Sequence, residues 1–354
     1  MSGSMVEVLS PAPTRVWREV VDSDRSAMAF QTPEWLRAIC EAGPFVDASR
    51  MYLTADARRL VLPMVRRRET PGSMAIRLSL PVGWGTGGIV AEHGRLTAAD
   101  VRAIRADLDR TSVGTTVITP NPAQDHLWRV AGSPWSKTRT RMVQMLDLSD
   151  GFDEVWARQF KSSVRRAVRK AEASDLTVER DSGPRLMREF YELYELSVLR
   201  WAQQDGVPAS VARWRAGRLE SLRKFERVAE LMGPACVTWV ARLDGRAVAG
   251  IVVLSQGVMA NYWRGAMELE KAGPVRANDL LHRLAIEDAC VRGMQRYSFG
   301  NSNPGTGLAR FKESFGADSI HYAEYITERL PLFKTADTAR NLARRGLEKV
   351  SRRG

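Results

Sequence analysis

The stretch CVTWVARLDGRAVAGIVVLSQGVMANYWRG, residues 236–265, decides the fold. Cys236–Leu243 and Arg246–Leu254 are apolar runs rich in β-branched residues. Asp244-Gly245 between them is a hairpin turn signal. Gln256-Gly257 turns the chain again into Val258–Gly265, which completes a three-stranded meander. Upstream, Arg141–Leu148 reads as a strand and Gly151–Ala173 as a long helix. Arg185–Gln204 and Ser210–Glu230 read as two more helices. Downstream come a helix at Val275–Arg292 with Gly293 as its C-terminal cap, a strand at Gln295–Phe299 and a loop at Gly300–Gly307. A short helix at Leu308–Phe315 and a strand at His321–Thr327 follow. The order is β, three helices, βββ, α, β, α, β.

The first half reads as another α/β unit ending near residue 140. Pro33 is placed for a helix start, and the helix runs through Cys40. Met51–Thr54, Arg59–Val65, Ala75–Leu80 and Thr115–Thr119 read as strands, and Thr97–Leu108 as a helix. Pro81-Val-Gly-Trp-Gly-Thr-Gly-Gly88 is a glycine-rich loop. The organisation expected is residues 1–140, residues 141–330, and a basic helical tail at 331–354. Among 354 residues, 44% hydrophobic and 27% charged is the composition of a globular protein. The longest apolar run, Ala247–Leu254, is far short of the roughly 20 residues a membrane span needs. The start of the chain has no apolar signal segment. Cys40, Cys236 and Cys290 are too dispersed for a zinc framework or a dense disulfide scaffold. A reducing, cytoplasmic location is expected.

Charge is concentrated. The formal net charge is +12. Arg158–Lys170 holds six basic residues and no acid, and Lys334–Gly354 holds seven basic and two acidic ones. Such clusters point to phosphates, on nucleic acid, a nucleotide carrier or lipid heads; the alternative is solvated helix faces. In the first cluster Val164, Ala167, Val168 and Ala171 form an apolar stripe, while Lys161, Arg165 and Arg169 share another face.

Much chemistry is missing. There is no GxxxxGK[ST], no HExxH and no GxSxG. His93, His126, His282 and His321 are scattered, so no metal site is expected. Gly83–Gly88 resembles a dinucleotide fingerprint only superficially, because no helix opens after it. Loops, basic groups and backbone donors remain. Such sites suit transfer of an activated acyl group, which needs an oxyanion stabiliser and a neutral amine.

Four stretches resemble the Fem-type branch of the GNAT acyltransferase superfamily: Phe30-Gln-Thr-Pro-Glu-Trp35, Leu80–Val90, Val164–Glu172, and Tyr297-Ser-Phe-Gly300 with Gly307–Gly316. The likeness spans about residues 15–327. It implies an α/β (α+β) chain of two tandem GNAT-like domains, each a mixed, mostly antiparallel sheet flanked by helices. The first would be the acceptor side and the second the donor and catalytic side. Ser298 departs from the branch, which often has an acidic residue there.

The resemblance also implies an activity. Fem-type enzymes move an amino acid from aminoacyl-tRNA to an amine on a peptidoglycan precursor, and relatives act on small natural products. Others use acyl-CoA, whose pyrophosphate sits on a glycine-rich turn at a helix N-terminus. In this chain that region reads Met267–Ala277, with Pro274, Glu268 and Glu270, which disfavours CoA. Aminoacyl-tRNA as co-substrate, with no resident cofactor, is the expectation. Acyl-CoA and a non-catalytic binding module are the alternatives. No DNA and at most peripheral membrane contact are expected.

Lys312 is the expected catalytic residue, matching a family lysine that stabilises charge on the reacting carbonyl; otherwise it is a solvated helix lysine. Arg165 and Arg169 are expected to grip donor phosphates, with Lys161 and Arg166 weaker candidates. Tyr262, Arg264, Asn301 and Asn303 are expected along the donor path, with Ser302 beside them. Trp84, Gly85, Gly87 and Gly88 are expected to meet the acceptor; otherwise they form a tight turn around a core tryptophan. His282 reads as a packing histidine rather than a base.

Overall fold

The computed structural model describes residues 5–68, 75–111, 113–132 and 137–329, so the basic tail at 331–354 lies outside the described residues. The first half runs β1 (Met5–Leu9), α1 (Thr14–Ser23), α2 (Pro33–Ala42), β2 (Phe45–Asp47), β3 (Arg50–Thr54) and β4 (Arg59–Leu62). It continues with β5 (Val65–Arg67), β6 (Ile76–Leu78), β7 (Val90–Ala91), α3 (Ala98–Arg110), β8 (Thr115–Ile118) and α4 (Asp125–Val130). The second half runs β9 (Lys137–Asp147), α5 (Phe152–Glu154), α6 (Ser162–Glu172), β10 (Leu176–Asp181), α7 (Met187–Gln204), α8 (Ala209–Leu219) and α9 (Leu222–Met232). The meander β11 (Cys236–Leu243), β12 (Arg246–Gln256) and β13 (Met259–Met267) follows. Then come α10 (Leu269–Ala272), α11 (Ala277–Val291), β14 (Arg296–Asn301), α12 (Gly307–Ser314) and β15 (Asp318–Glu328).

Local chemistry sets the boundaries. Thr32 Oγ1 accepts from Trp35 N at 3.2 Å, and Pro33 opens α2. Thr97 and Asp100 form a capping box at α3. Asp244 and Gly245 both have positive φ, +51° and +74°, as a tight primed turn demands. The expected strand at Arg59–Val65 is two strands, because Pro63 has no N–H to continue the ladder.

The helix expected at Gly151–Ala173 is interrupted. Val155–Gln159 forms a π turn, and Phe160 is extended, at φ −65° and ψ 127°. This drops the Phe160 ring between Trp156 and Phe315, 5.7 and 5.1 Å away. The helix expected at Ser210–Glu230 is likewise α8 and α9, with Ser221 as the cap of α9. β10 went unread because it is an edge strand whose alternation mixes Leu, Val and charged residues.

β1, β3, β4 and β7 form a four-stranded sheet, and the other eleven strands form one sheet in the order β10-β11-β12-β13-β14-β9-β15-β8-β6-β5-β2. Among the described residues, only β13–β14 and β6–β8 pair in parallel. The antiparallel β15–β8 ladder joins the strands of the two halves. One sheet face in the second half is covered by α6 and α11. The opposite face packs under α7, α9 and the first half, with Trp35, Trp84, Phe225 and Trp263 in one shared core. A smaller core lies beneath α3 and α4. Among the described residues, no helix is long and apolar enough to cross a membrane.

Candidate active site

β13 and β14 are neighbours only over Met259–Asn261 and Arg296–Ser298, and then diverge. Beside the divergence, β13 carries a bulge that displaces Trp263 from the ladder with β12. A cavity of about 830 Å³ opens at this fork. Its walls come from β13, β14, α11 and α12, and also from Met28, Phe30, Gly83, Gly85 and Thr86 of the first half. Both halves therefore build one site.

Lys312 lines this cavity and is 2% exposed. The cap at Thr306 starts α12, and the helix carries the lysine beneath the end of β14. Its Nζ donates to Gly300 O at 3.1 Å and to Asn301 O at 2.9 Å. Gly300, at φ +70°, turns these carbonyls toward it. Two of the three ammonium hydrogens thus fix the loop, and one is left for a ligand. Burial lowers the Lys312 pKa to about 8, so the group is still mostly cationic at neutral pH. A buried cation with a spare N–H at the fork can stabilise a developing oxyanion.

His282 lines the cavity and is 1% exposed. It lies among Tyr262, Phe299, Phe311 and Phe315, and its Nδ1 meets the Tyr297 hydroxyl at 3.3 Å. Burial, with Lys312 nearby, pushes its pKa down to about 3 and keeps it neutral. Tyr262 lines the cavity beside His282, and burial raises its hydroxyl to about 12.

The glycine-rich loop corrects several expectations. Gly83 and Gly85 reach the cavity, whereas Trp84, Gly87 and Gly88 are not among its lining residues. Trp84 is 5% exposed, and its carbonyl accepts from Trp35 Nε1 at 3.0 Å; it is core, not a stacking platform. Gly87 lies against Ser79, and Gly88 against the backbone of Pro120 and Asn121, where a Cβ would not fit. Arg264 is occupied too. It donates to Gly83 O and pairs with Glu220 Oε1 at 3.0 Å. Glu220 Oε2 holds Lys224 at 2.7 Å, and the Lys224 ammonium sits 4.1 Å from the centre of the Trp84 ring. This buried network ties the loop to β13 and α9.

The basic helix faces differently from the expectation. Arg165 donates to the carbonyls of Trp156, at 3.2 Å, Ala157, at 3.0 Å, and Phe160, so it caps the π turn instead of gripping phosphate. Arg169 is exposed and lines neither cavity. The basic residues that line a second cavity, of about 420 Å³, are Arg166, Lys170 and Arg276. Arg276, Asp279 and Phe311 line both cavities, so the second one borders the first. Arg165 and Arg169 keep their i, i+4 spacing within α6, but it is the neighbouring pair Arg166 and Lys170 that lines the second cavity. Asn301 lines the cavity, but its amide engages the Tyr322 hydroxyl at 2.8 and 3.1 Å. Asn303 is an exposed turn residue whose carbonyl accepts from Thr306. Ser302 donates to Gln144.

Sequence reasoning missed Asn261, Asp279, Arg276 and the Glu220–Lys224 pair. Asp279 was discoverable as an acid in the first turn of the helix after the meander. Asn261, a polar residue in an otherwise apolar strand, was the other signal.

Residues 158–313 match the family model described as an acetyltransferase (GNAT) domain. The fold is similar to that of FemX, at 14% identity and TM-score 0.68, covering 93% of this chain and 99% of that one. It is also similar to the C-terminal domain (DUF2156) of a putative lysylphosphatidylglycerol synthetase from Agrobacterium fabrum, at 12% identity and TM-score 0.52, covering 90% and 92%. A conserved protein of unknown function from Bacteroides thetaiotaomicron is similar at 11% identity and TM-score 0.51, covering 87% and 90%. No curated protein matches the chain in sequence. Within the second half, residues 158–313 thus match a GNAT domain, and the chain as a whole has a fold similar to that of FemX.

Proposed function

We propose that this acyltransferase moves an aminoacyl group from aminoacyl-tRNA to an amine, on a peptidoglycan precursor or a small natural product, in the cytoplasm. The observation that carries this reading is the start of α11. Asp279 stands in its first turn and lines both cavities, and Pro274 just upstream has no N–H. A diphosphate needs free N–H donors and a positive helix end. An acidic side chain at that position opposes it. Arg166, Lys170 and Arg276 lie around the bordering cavity, where they suit the phosphodiester backbone of a polynucleotide end.

In this scheme a neutral acceptor amine attacks the ester carbonyl from the first-half side of the cavity. Lys312 donates to the oxyanion of the tetrahedral intermediate. The C–O bond to the tRNA 3′ oxygen then breaks, an amide remains, and the proton from nitrogen leaves with the 3′ hydroxyl. An acyl-CoA donor is the second reading, and the acetyltransferase description of the matched domain favours it.

Titration of the purified protein with acetyl-CoA and with charged tRNA at physiological salt separates the two. The proposal expects saturable binding of charged tRNA and transfer to an amine acceptor, without micromolar binding of acetyl-CoA. One-site micromolar binding of acetyl-CoA, with no transfer from charged tRNA, overturns it.

A further inference from the structure

One polar side chain in the cavity has no role in the scheme above. Asn261 occupies the last register position at which β13 meets β14, opposite Ser298. It is 1% exposed, and neither its Nδ2 nor its Oδ1 has a hydrogen-bond partner. On the same sheet face its neighbours are apolar: Leu254 is its partner on β12, and Met145 lies across from Ser298 on β9. Ser298 Oγ is engaged with the Gly300 N–H at 3.2 Å. A leucine would suit this row, because a buried amide without partners is costly. Buried polar groups in native proteins are almost always paired, and a ligand is one reason for an exception.

We propose that Asn261 is a specificity-determining residue that reads the amino group of the transferred acyl chain. A primary amide donates through Nδ2 and accepts at Oδ1. An α-amino acyl ester offers the complementary pair, an amino N–H for Oδ1 and a carbonyl or ester oxygen for Nδ2. A plain acyl group offers only the oxygen and leaves Oδ1 buried and unpaired. Sites built to bond a substrate N–H discriminate strongly against analogues that lack it. Asp279, which lines the same cavity, adds a carboxyl oxygen that can accept from the amino group. This inference rests on the aminoacyl reading above.

The test compares wild type with Asn261→Leu. The donors are bulk tRNA charged with amino acids and tRNA chemically acylated with the matching desamino acids. Wild type is expected to prefer the amino form strongly. Asn261→Leu is expected to lower kcat/KM for the amino form about 10–100-fold and bring the two donors close to parity. It is also expected to melt no lower than wild type, since it removes an unpaired amide. If Asn261→Leu fails to fold, the smaller Asn261→Ala, which also loses the amide oxygen that reads the amino group, is read in the same way. Undiminished preference in a folded variant overturns the inference and leaves the donor assignment standing. A wild type that transfers from neither tRNA overturns both.

Discussion

Lys312→Met removes one charge from the centre of the site, and its effect on stability should depend on pH. In the folded protein burial lowers the ammonium pKa from 10.5 to about 8. The unfolded chain therefore binds more protons than the folded one between those values, and stability rises with pH across that window. Below about 8 the folded state carries the whole desolvation burden; above about 10.5 it carries none. The full shift corresponds to roughly 3 kcal/mol, of which about 2 kcal/mol is recovered between pH 7 and pH 10. Methionine does not titrate, so the variant lacks this term. Urea unfolding of both proteins at pH 7, 8, 9 and 10 measures it, because other titrating groups, Lys224 included, cancel in the difference. Wild type should gain about 2 kcal/mol on the variant over this range. Parallel stability curves, or a loss by wild type, would refute the argument that Lys312 is buried as a cation.

Glu220→Gln should cost about 3 kcal/mol in urea unfolding, because it leaves the buried Lys224 and the partly exposed Arg264 without their shared carboxylate. Adding Lys224→Met should restore part of that loss. Gly85→Ala should lower Tm by the equivalent of more than about 2 kcal/mol, since its Cβ would lie 2.5 Å from the Phe30 ring at φ +87°. Arg165→Ala should reduce stability and leave the salt dependence of tRNA binding unchanged. Arg166→Ala with Lys170→Ala should do the reverse, lowering the slope of log K against log salt by roughly 1.4 in filter binding.

The second-half fold was legible because its signals are local. The Asp-Gly hairpin, the apolar meander and the glycine after the last long helix each act through backbone geometry or simple periodicity. What stayed hidden depends on contacts distant in sequence. The break at Phe160 is set by an aromatic nest with Phe315, and only the fold shows that Arg166 and Lys170, not Arg165 and Arg169, line the second cavity. Trp84 looked like a binding platform because nothing in its own loop reveals Trp35, Lys224 and Trp263 packed around it. The expectation for Lys312 came from its motif. Its two loop carbonyls and its place in the cavity are tertiary facts.

The most direct test of acyl transfer at this fork is the single-turnover rate of amide formation from charged tRNA, compared between wild type and Lys312→Met. Removing the oxyanion donor should slow the chemical step by about 10²–10³-fold, with the Kd for charged tRNA unchanged. A folded Lys312→Met protein that forms amide at the wild-type rate would contradict the account.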